Sequence, residues 1–289
     1  MDAMDARKSG PPEAPFPAGA RPPHPAGPAA GGYAGPAGAA PGGNAGPAGA
    51  AGAAGSGTTR RRPAESAAPG DGPAASPGGL DGVPLGPVVE AGFFRRPAAE
   101  LAPALLGLEL VHETAEGLAS GIIVEAEAYQ GPEDRGAHSY GGRRTARTEV
   151  MFGPAGYAYV FTIYGMHHCF NVVAAEPGEP QAVLVRALEP RRGVGLMARR
   201  RNLTPQAAAR PGLLTGGPGR LCQALGITRA HYGLPLFDPG SPLRIHYPQP
   251  PFPVGTVARG PRINIDYAGE WKDVPWRFWV AGNPHVSKG

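Results

Sequence analysis

Apolar and polar positions follow two different regimes along the chain, and these meet near residue 87. From about residue 10 up to that point the sequence is mostly Ala, Gly and Pro, in runs such as GPAGAAPGGNAGPAGAAGAAG, with almost no large apolar side chain. Such a segment cannot bury enough area to offset the entropy of ordering itself, so residues 1–86 are predicted to be a disordered tail. The glycines are irregularly spaced, which argues against collagen.

Residues 87–289 carry periodic segments instead. RRPAAELAPALLG predicts a helix, with Pro97 in its first turn, Gly107 as its stop and a kink at Pro103. LELVHET and SGIIVEAEAYQ predict strands joined by a turn at residues 115–117. In the second strand, Ile123, Glu125, Glu127 and Tyr129 share one face, and Ile122, Val124, Ala126 and Ala128 the other. A polar, Gly- and Arg-rich loop follows at residues 131–149. Next come YAYVFTIY, CFNVVAA and QAVLVRALE, rich in the aromatic and β-branched residues that strands favour. A basic helix is predicted over 191–201 and a short one over 205–210. GGPGRLCQALGI predicts a glycine turn entering a helix that stops at Gly226. The end is read as strand, in LRIHY, RINIDY and WRFWV. No internal repeat is visible, and the sum is a single α+β domain with several antiparallel pairs.

Composition and charge refine this picture. The 46 glycines and 37 prolines concentrate in the tail. The two cysteines sit in apolar stretches, CFNVV and LCQAL, which predicts buried, reduced thiols in a cytoplasmic protein, nucleoid-associated if the source is bacterial. No apolar run approaches membrane-spanning length, and the charged N-terminus lacks the apolar core of a signal peptide, so no membrane partner is expected. The net charge of +4 suits a polyanion. Arg143, Arg144 and Arg147 cluster, as do Arg191 with Arg192, and Arg199, Arg200 and Arg201; charge alone does not separate a solvated face from a nucleic-acid contact. Arg60, Arg61 and Arg62 in the tail would add weak, salt-sensitive phosphate affinity.

Candidate chemistry starts at Glu125, Glu127 and Tyr129. The bland alternative is a half-solvated strand. Against it stands Arg186, a charge inside the apolar run AVLVRAL, which needs a buried partner; Glu127 or Glu125 is the natural one. A carboxylate held by an arginine in a cleft can orient a water and take its proton. His138, in the loop GPEDRGAHSYGGRRTAR, is suited to stack on a planar ligand or donate a hydrogen bond to it. No metal-ligand spacing is present, so neither metal nor cofactor is expected. Tyr157, Tyr159 and Phe161 alternate on one strand face, as an aromatic core would. Tyr164 falls in a turn between two strands, with Met166 behind it, where it could wedge into a base stack. Asn171 could read a base edge. The glycines before LCQAL expose N–H groups at a helix start, and Arg220 adds a charge there; the arrangement suits phosphate but is also an ordinary helix entry.

Together the strings EAEAYQGPEDRGAHS, MFGPAGYAYVFTIYGMHHCFNVV, AVLVRALEP, GPGRLCQALGI and GEWKDVPWRFWVAGNPHVS resemble the alkyladenine (3-methyladenine) DNA glycosylase family, from about Pro87 to Ser287. The resemblance implies a curved antiparallel sheet with flanking helices and a protruding β-hairpin. It implies double-stranded DNA carrying damaged purines as partner, and base release by flipping and hydrolysis; a monomer is expected because asymmetric DNA damage gives no geometric reason for a dimer. On this resemblance Glu127 activates water, and Arg186 and the Ile263 carbonyl help to hold it. Tyr129 forms one wall of the base pocket and His138 with Phe161 the other, while N–H groups near Gly136 and His138 meet the base edge. Asn171 disfavours guanine. Tyr164 is the wedge with Met166 beside it, and Arg220 meets a phosphate; Arg143 and Arg147, from the charge cluster, are read as further DNA contacts. Phe161 stands where the family often has Tyr, and Thr148 where Asn is expected, which leaves the role of Thr148 open. The rival readings are a damage sensor that binds without cutting, a small-nucleoside hydrolase and a metal-dependent nuclease.

Overall fold

The computed structural model describes residue 80 and residues 82–288; the predicted tail up to residue 79, with Arg60, Arg61 and Arg62, lies outside the described residues. Eight strands form one antiparallel sheet: β1 (Glu109–Thr114), β2 (Gly117–Tyr129), β3 (Ala158–Ile163), β4 (His167–Ala174), β5 (Gln181–Arg192), β6 (Leu243–His246), β7 (Val257–Gly260) and β8 (Arg277–Val280). The order is β3-β4-β5-β2-β1-β6, with β8 on β2 and β7 on β8. The long strand β2 organises the rest. One edge runs along β5; the other is shared, with β1 pairing up to Ile122 and β8 from Glu125 onward. The register of β2 against β5 shifts on both sides of Glu125, and such bulges bend a strand and re-aim its side chains.

Four helices flank the sheet: α1 (Ala98–Leu105), α2 (Val194–Arg200), α3 (Pro205–Ala208) and α4 (Pro218–Leu225). Helix α1 buries Ala98, Leu101, Ala102 and Leu105, the i, i+3, i+4, i+7 stripe of its sequence. Each leucine so buried contributes about 1.5–3 kcal/mol. Its first amide, Ala98 N–H, donates to Gln181 Oε1 (2.8 Å), which satisfies a group the helix cannot. Helix α4 begins after Gly217 with Pro218 in its first turn and closes at Gly226 (φ +76°), where Ile227 N–H returns to the Cys222 carbonyl (2.8 Å), as the glycines in its sequence predict. Both cysteines are buried and unpaired. Among the described residues no helix is long and apolar enough to cross a membrane.

Three predicted elements differ. The basic helix does not begin at Arg191: β5 continues through Arg192 and α2 starts at Val194. The cause is Glu109, fully buried on β1, which holds Arg192 Nε at 3.1 Å with Arg191 beside it at 3.9 Å and so keeps both arginines in the sheet. RINIDY is not a strand. Residues 263–265 form an irregular turn, with Asn264 at φ +60°, leading into a 3-10 segment at Asp266–Asp273, because the Arg262 and Ile263 polar groups are drawn to Asp134 and Glu127 instead of a neighbouring strand. Strand β7 (VARG), with exposed alternate residues and no apolar stripe, is not apparent from hydropathy.

The chain ahead of Pro87 is tied to the sheet. Arg192 Nη1 donates to the carbonyls of Leu80 (2.9 Å) and Val83, and Nη2 to that of Pro84 (3.3 Å); His246 Nδ1 donates to the Gly86 carbonyl (2.7 Å). A chain starting at Pro87 is therefore expected to be less stable than one starting at Leu80, by about 2–3 kcal/mol for several lost bonds to a buried guanidinium. That corresponds to a melting temperature lower by roughly 4–12 °C. Equal melting temperatures in thermal unfolding would put the edge of the domain at Pro87.

Candidate active site

Glu125 and Glu127 project from the same face of β2, and neither is solvated: both side chains are 0% exposed. Arg186 on β5 bridges them, with Nε 3.1 Å from Glu125 Oε1 and Nη1 3.3 Å from Glu127 Oε1. The two carboxylates differ in what holds them. Glu125 accepts four contacts: from Arg186, from Arg277 Nε (2.7 Å), and from the Ser287 hydroxyl (3.0 Å) and amide (2.7 Å). Three of these fall on Oε1 and only the Ser287 amide on Oε2, and two of the partners, Arg277 and Ser287, do not line the cavity above the pair. Glu127 accepts from Arg186, from Ile263 N–H (2.8 Å) and from Tyr129 Oη (3.0 Å). Burial raises the Glu127 pKa above the ordinary glutamate value and outweighs Arg186, whose charge is shared with Glu125. Glu127 is thus the candidate base, and Glu125 the anchor for two arginines and the C-terminal segment.

Above this pair lies a cavity of about 290 Å³, lined by Tyr129, Gly136, His138, Met151, Tyr159, Phe161, Asn171, Arg186 and Ile263 among others. Tyr129 is backed by the Arg262 guanidinium, 4.7 Å from its ring centroid. His138 meets Phe161 edge-on at 4.5 Å, and its Nδ1 lies 2.7 Å from Tyr159 Oη. Burial, with Arg147 and Arg143 adding to it, lowers the His138 pKa to about 4, so the ring is neutral near pH 7. Burial pushes Tyr159 up to about 12. Asn171 donates to the Tyr159 carbonyl (3.0 Å), which fixes its amide and turns its oxygen to other partners. Gly136 N–H is spent on Asp134 Oδ1 (2.8 Å), whereas no partner for the His138 N–H occurs among the described residues. Ile263 is seen here through its N–H, not its carbonyl.

The hairpin between β3 and β4 turns on Tyr164 (φ +51°) and Gly165 (φ +69°), closed by Met166 N–H to the Ile163 carbonyl (3.2 Å). It leaves Tyr164 87% and Met166 72% exposed at the cavity mouth or beside it. The arginine clusters separate into two kinds. Arg191, Arg192, Arg200 and Arg201 are spent on carboxylates, carbonyls and Gln223, and Arg144 on Glu149 (2.6 Å). Arg143 and Arg147 are exposed, and Arg147 lies over Phe161 at 5.1 Å. Arg220 is exposed near the start of α4, within 3.4 Å of the Gly212 and Gly216 carbonyls. Thr148 is buried; its hydroxyl accepts from Thr145 N–H (2.9 Å) and donates to the Arg143 carbonyl (3.1 Å), closing the turn that carries these cations.

Sequence reasoning missed the Asp134–Arg262 pair (2.6 and 2.8 Å), both fully buried, which joins the loop before His138 to the segment holding Ile263. Arg262, a charge beside the apolar alternation of RINI, was the available signal, of the same kind that marked Arg186. It also read Tyr159 only as core. Among the described residues no cluster of three or more His, Cys, Asp or Glu side chains forms a metal-type site, and no lysine lines the cavity.

An aromatic cavity over a buried carboxylate, flanked by exposed cations, is a site for a planar ring beside a polyanionic backbone. A model of the methylpurine-DNA glycosylase family matches residues 92–284. A Bacillus cereus (strain G9842) protein named for 3-methyladenine DNA glycosylase activity is 52% identical over 200 residues, covering 68% of this chain and 97% of its own. Similarly named proteins of Bacillus cereus (strain B4264) and Bacillus anthracis (strain CDC 684 / NRRL 3495) are 50% identical over the same shares. The chain belongs to the methylpurine-DNA glycosylase family, and so to the DNA-repair hydrolases that act on N-glycosyl bonds.

Proposed function

We propose that the protein is a monofunctional glycosylase that flips alkylated or deaminated purines, 3-methyladenine among them, out of duplex DNA and hydrolyses the N-glycosidic bond. The observation that carries this reading is the placing of the two carboxylates: all three groups that hold Glu127, on Tyr129, Arg186 and Ile263, belong to residues lining the aromatic cavity, whereas Glu125 is tied to Arg277 and Ser287, which do not line it. Tyr164 takes the place of the extruded nucleotide with Met166 beside it, at a cost that is least for a mispaired or damaged base. The base lies between Tyr129 and the His138–Phe161 wall, with the His138 amide at its edge and Asn171 set against the guanine amino group. Gly136 shapes the wall, since a Cβ there would meet the Arg262 guanidinium at 3.0 Å.

Glycosidic cleavage builds positive charge on the sugar. Glu127 stabilises that charge and takes a proton from water, held with help from Arg186 and the Ile263 backbone. Arg143, Arg147 and Arg220 meet phosphates. The enzyme acts as a monomer on chromosomal DNA, because a single damaged nucleotide offers no two-fold symmetry for a dimer to match.

The test is base release from duplexes carrying one hypoxanthine, ethenoadenine or 3-methyladenine, in EDTA, with abasic sites revealed by alkali. Release without a borohydride-trapped protein–DNA adduct is expected, since among the described residues no lysine lines the cavity. A trapped adduct would overturn the monofunctional mechanism. Tight binding of every lesion with no release would favour a damage sensor.

A further inference from the structure

Among the described residues, three large apolar or aromatic side chains are more than two-thirds exposed: Tyr164, Met166 and Tyr267, the last at 70%. The first two form the hairpin tip. Tyr267 has no role in the mechanism above, yet it lines the same cavity. Its hydroxyl donates to the Gly136 carbonyl (3.2 Å), so its polar end is satisfied while most of the ring stays in water. Its chain position is equally specific. Tyr267 follows the turn in which Ile263 N–H holds Glu127 and Asn264 adopts φ +60°, and it docks two residues from His138. The ring thus joins the base-reading loop to the carboxylate-holding turn at the mouth of the cavity. A nucleotide whose base fills the cavity must pass its sugar and phosphates through that mouth.

We propose that Tyr267 is a second aromatic DNA contact, its ring resting on the sugar–phosphate of the nucleotide whose base occupies the cavity. This rests on reading the cavity as a base pocket. An exposed aromatic ring at the cavity mouth offers a large flat face for such a contact, and the ring itself rather than its hydroxyl supplies it.

The experiment measures affinity at fixed salt for three duplexes: undamaged, carrying one ethenoadenine, and carrying one tetrahydrofuran abasic analogue. The full chain is used with Glu127→Gln in the background so that the lesion survives. Tyr267→Ala is expected to weaken binding to the lesion and tetrahydrofuran duplexes by the same factor, roughly three- to tenfold, with Tyr267→Phe close to the parent. No loss in the alanine variant, or an equal loss in the phenylalanine variant, would overturn the proposal, the latter because only the tie to Gly136 would then matter. A loss confined to the lesion duplex would put the ring on the base, and an equal loss on undamaged DNA would make it a general backbone contact; either result overturns the sugar–phosphate assignment. Base release by the parent chain is measured separately. Its failure would sink the glycosylase mechanism, while an unchanged alanine variant beside an active parent would sink only the role of Tyr267.

Discussion

Glu127→Gln is expected to lower single-turnover base release by on the order of 10²–10⁴ while leaving the fold intact. The substitution keeps the shape of the side chain. Ile263 N–H can still donate to its oxygen, and Arg186 keeps Glu125 at 3.1 Å, so no buried guanidinium is orphaned. What disappears is the lone pair that takes the proton from water and the charge that faces the developing cation.

Stability should move in the opposite direction from activity. The folded pKa of Glu127 lies above its unfolded value, so the folded state holds that proton more tightly. The associated stability is fully present below the unfolded pKa and is lost as pH rises through the folded one. Above the unfolded pKa the burial of Glu127 is therefore a cost, and Glu127→Gln should melt at the same temperature as the parent or higher, with the difference growing as pH rises through the raised pKa. Parent activity should run the other way, falling as pH drops through the raised pKa, and the residual activity of the variant should lack that acid limb. Because His138 titrates only at about 4, it leaves neutral pH free of a second titration from the base-facing wall. A variant that retains activity within tenfold would remove Glu127 from the chemistry.

The parts of this site legible in the sequence are those where a residue contradicts its surroundings. Arg186 in an apolar run demanded a carboxylate, and alternation in β2 placed two of them on one face. Which carboxylate belongs to the cavity was not legible, because the groups that tie Glu125 away from it come from residues 277 and 287 at the far end of the chain. Alternation also fails to show that the acidic face is buried, since it is the C-terminal segment that covers it. The misread RINIDY has the same origin: its hydropathy suits a strand, but the buried acids outcompete a ladder for its polar groups. The hairpin was legible from Tyr-Gly between two strands, because that turn needs positive φ at both central positions.

Asp134→Ala is expected to destabilise the domain by about 3–5 kcal/mol, the cost of leaving one member of a buried pair alone. That corresponds to a melting temperature lower by roughly 6–20 °C. Asp134 is saturated: its oxygens accept both Arg262 Nη atoms and the amides of Gln130 (3.1 Å) and Gly136 (2.8 Å). The Arg262 guanidinium, equally buried, also donates to the Ala128 carbonyl (3.0 Å) and lies over Tyr129 and Trp276. Without Asp134, the cation is left against two aromatic faces in a site closed to water. Arg262→Met added to Asp134→Ala should recover part of the lost stability, because it removes the orphaned charge and leaves an apolar chain of similar length. Activity should not return with it. The pair also fixes the loop that presents His138 to the wall that presents Tyr129, and a displacement of about 1 Å there is enough to cost on the order of 10²-fold in rate. The double variant is thus expected to melt closer to the parent than Asp134→Ala while releasing base as slowly. Recovery of both together would reduce the pair to a purely stabilising contact, and an unchanged melting temperature in Asp134→Ala would mean that water reaches Arg262.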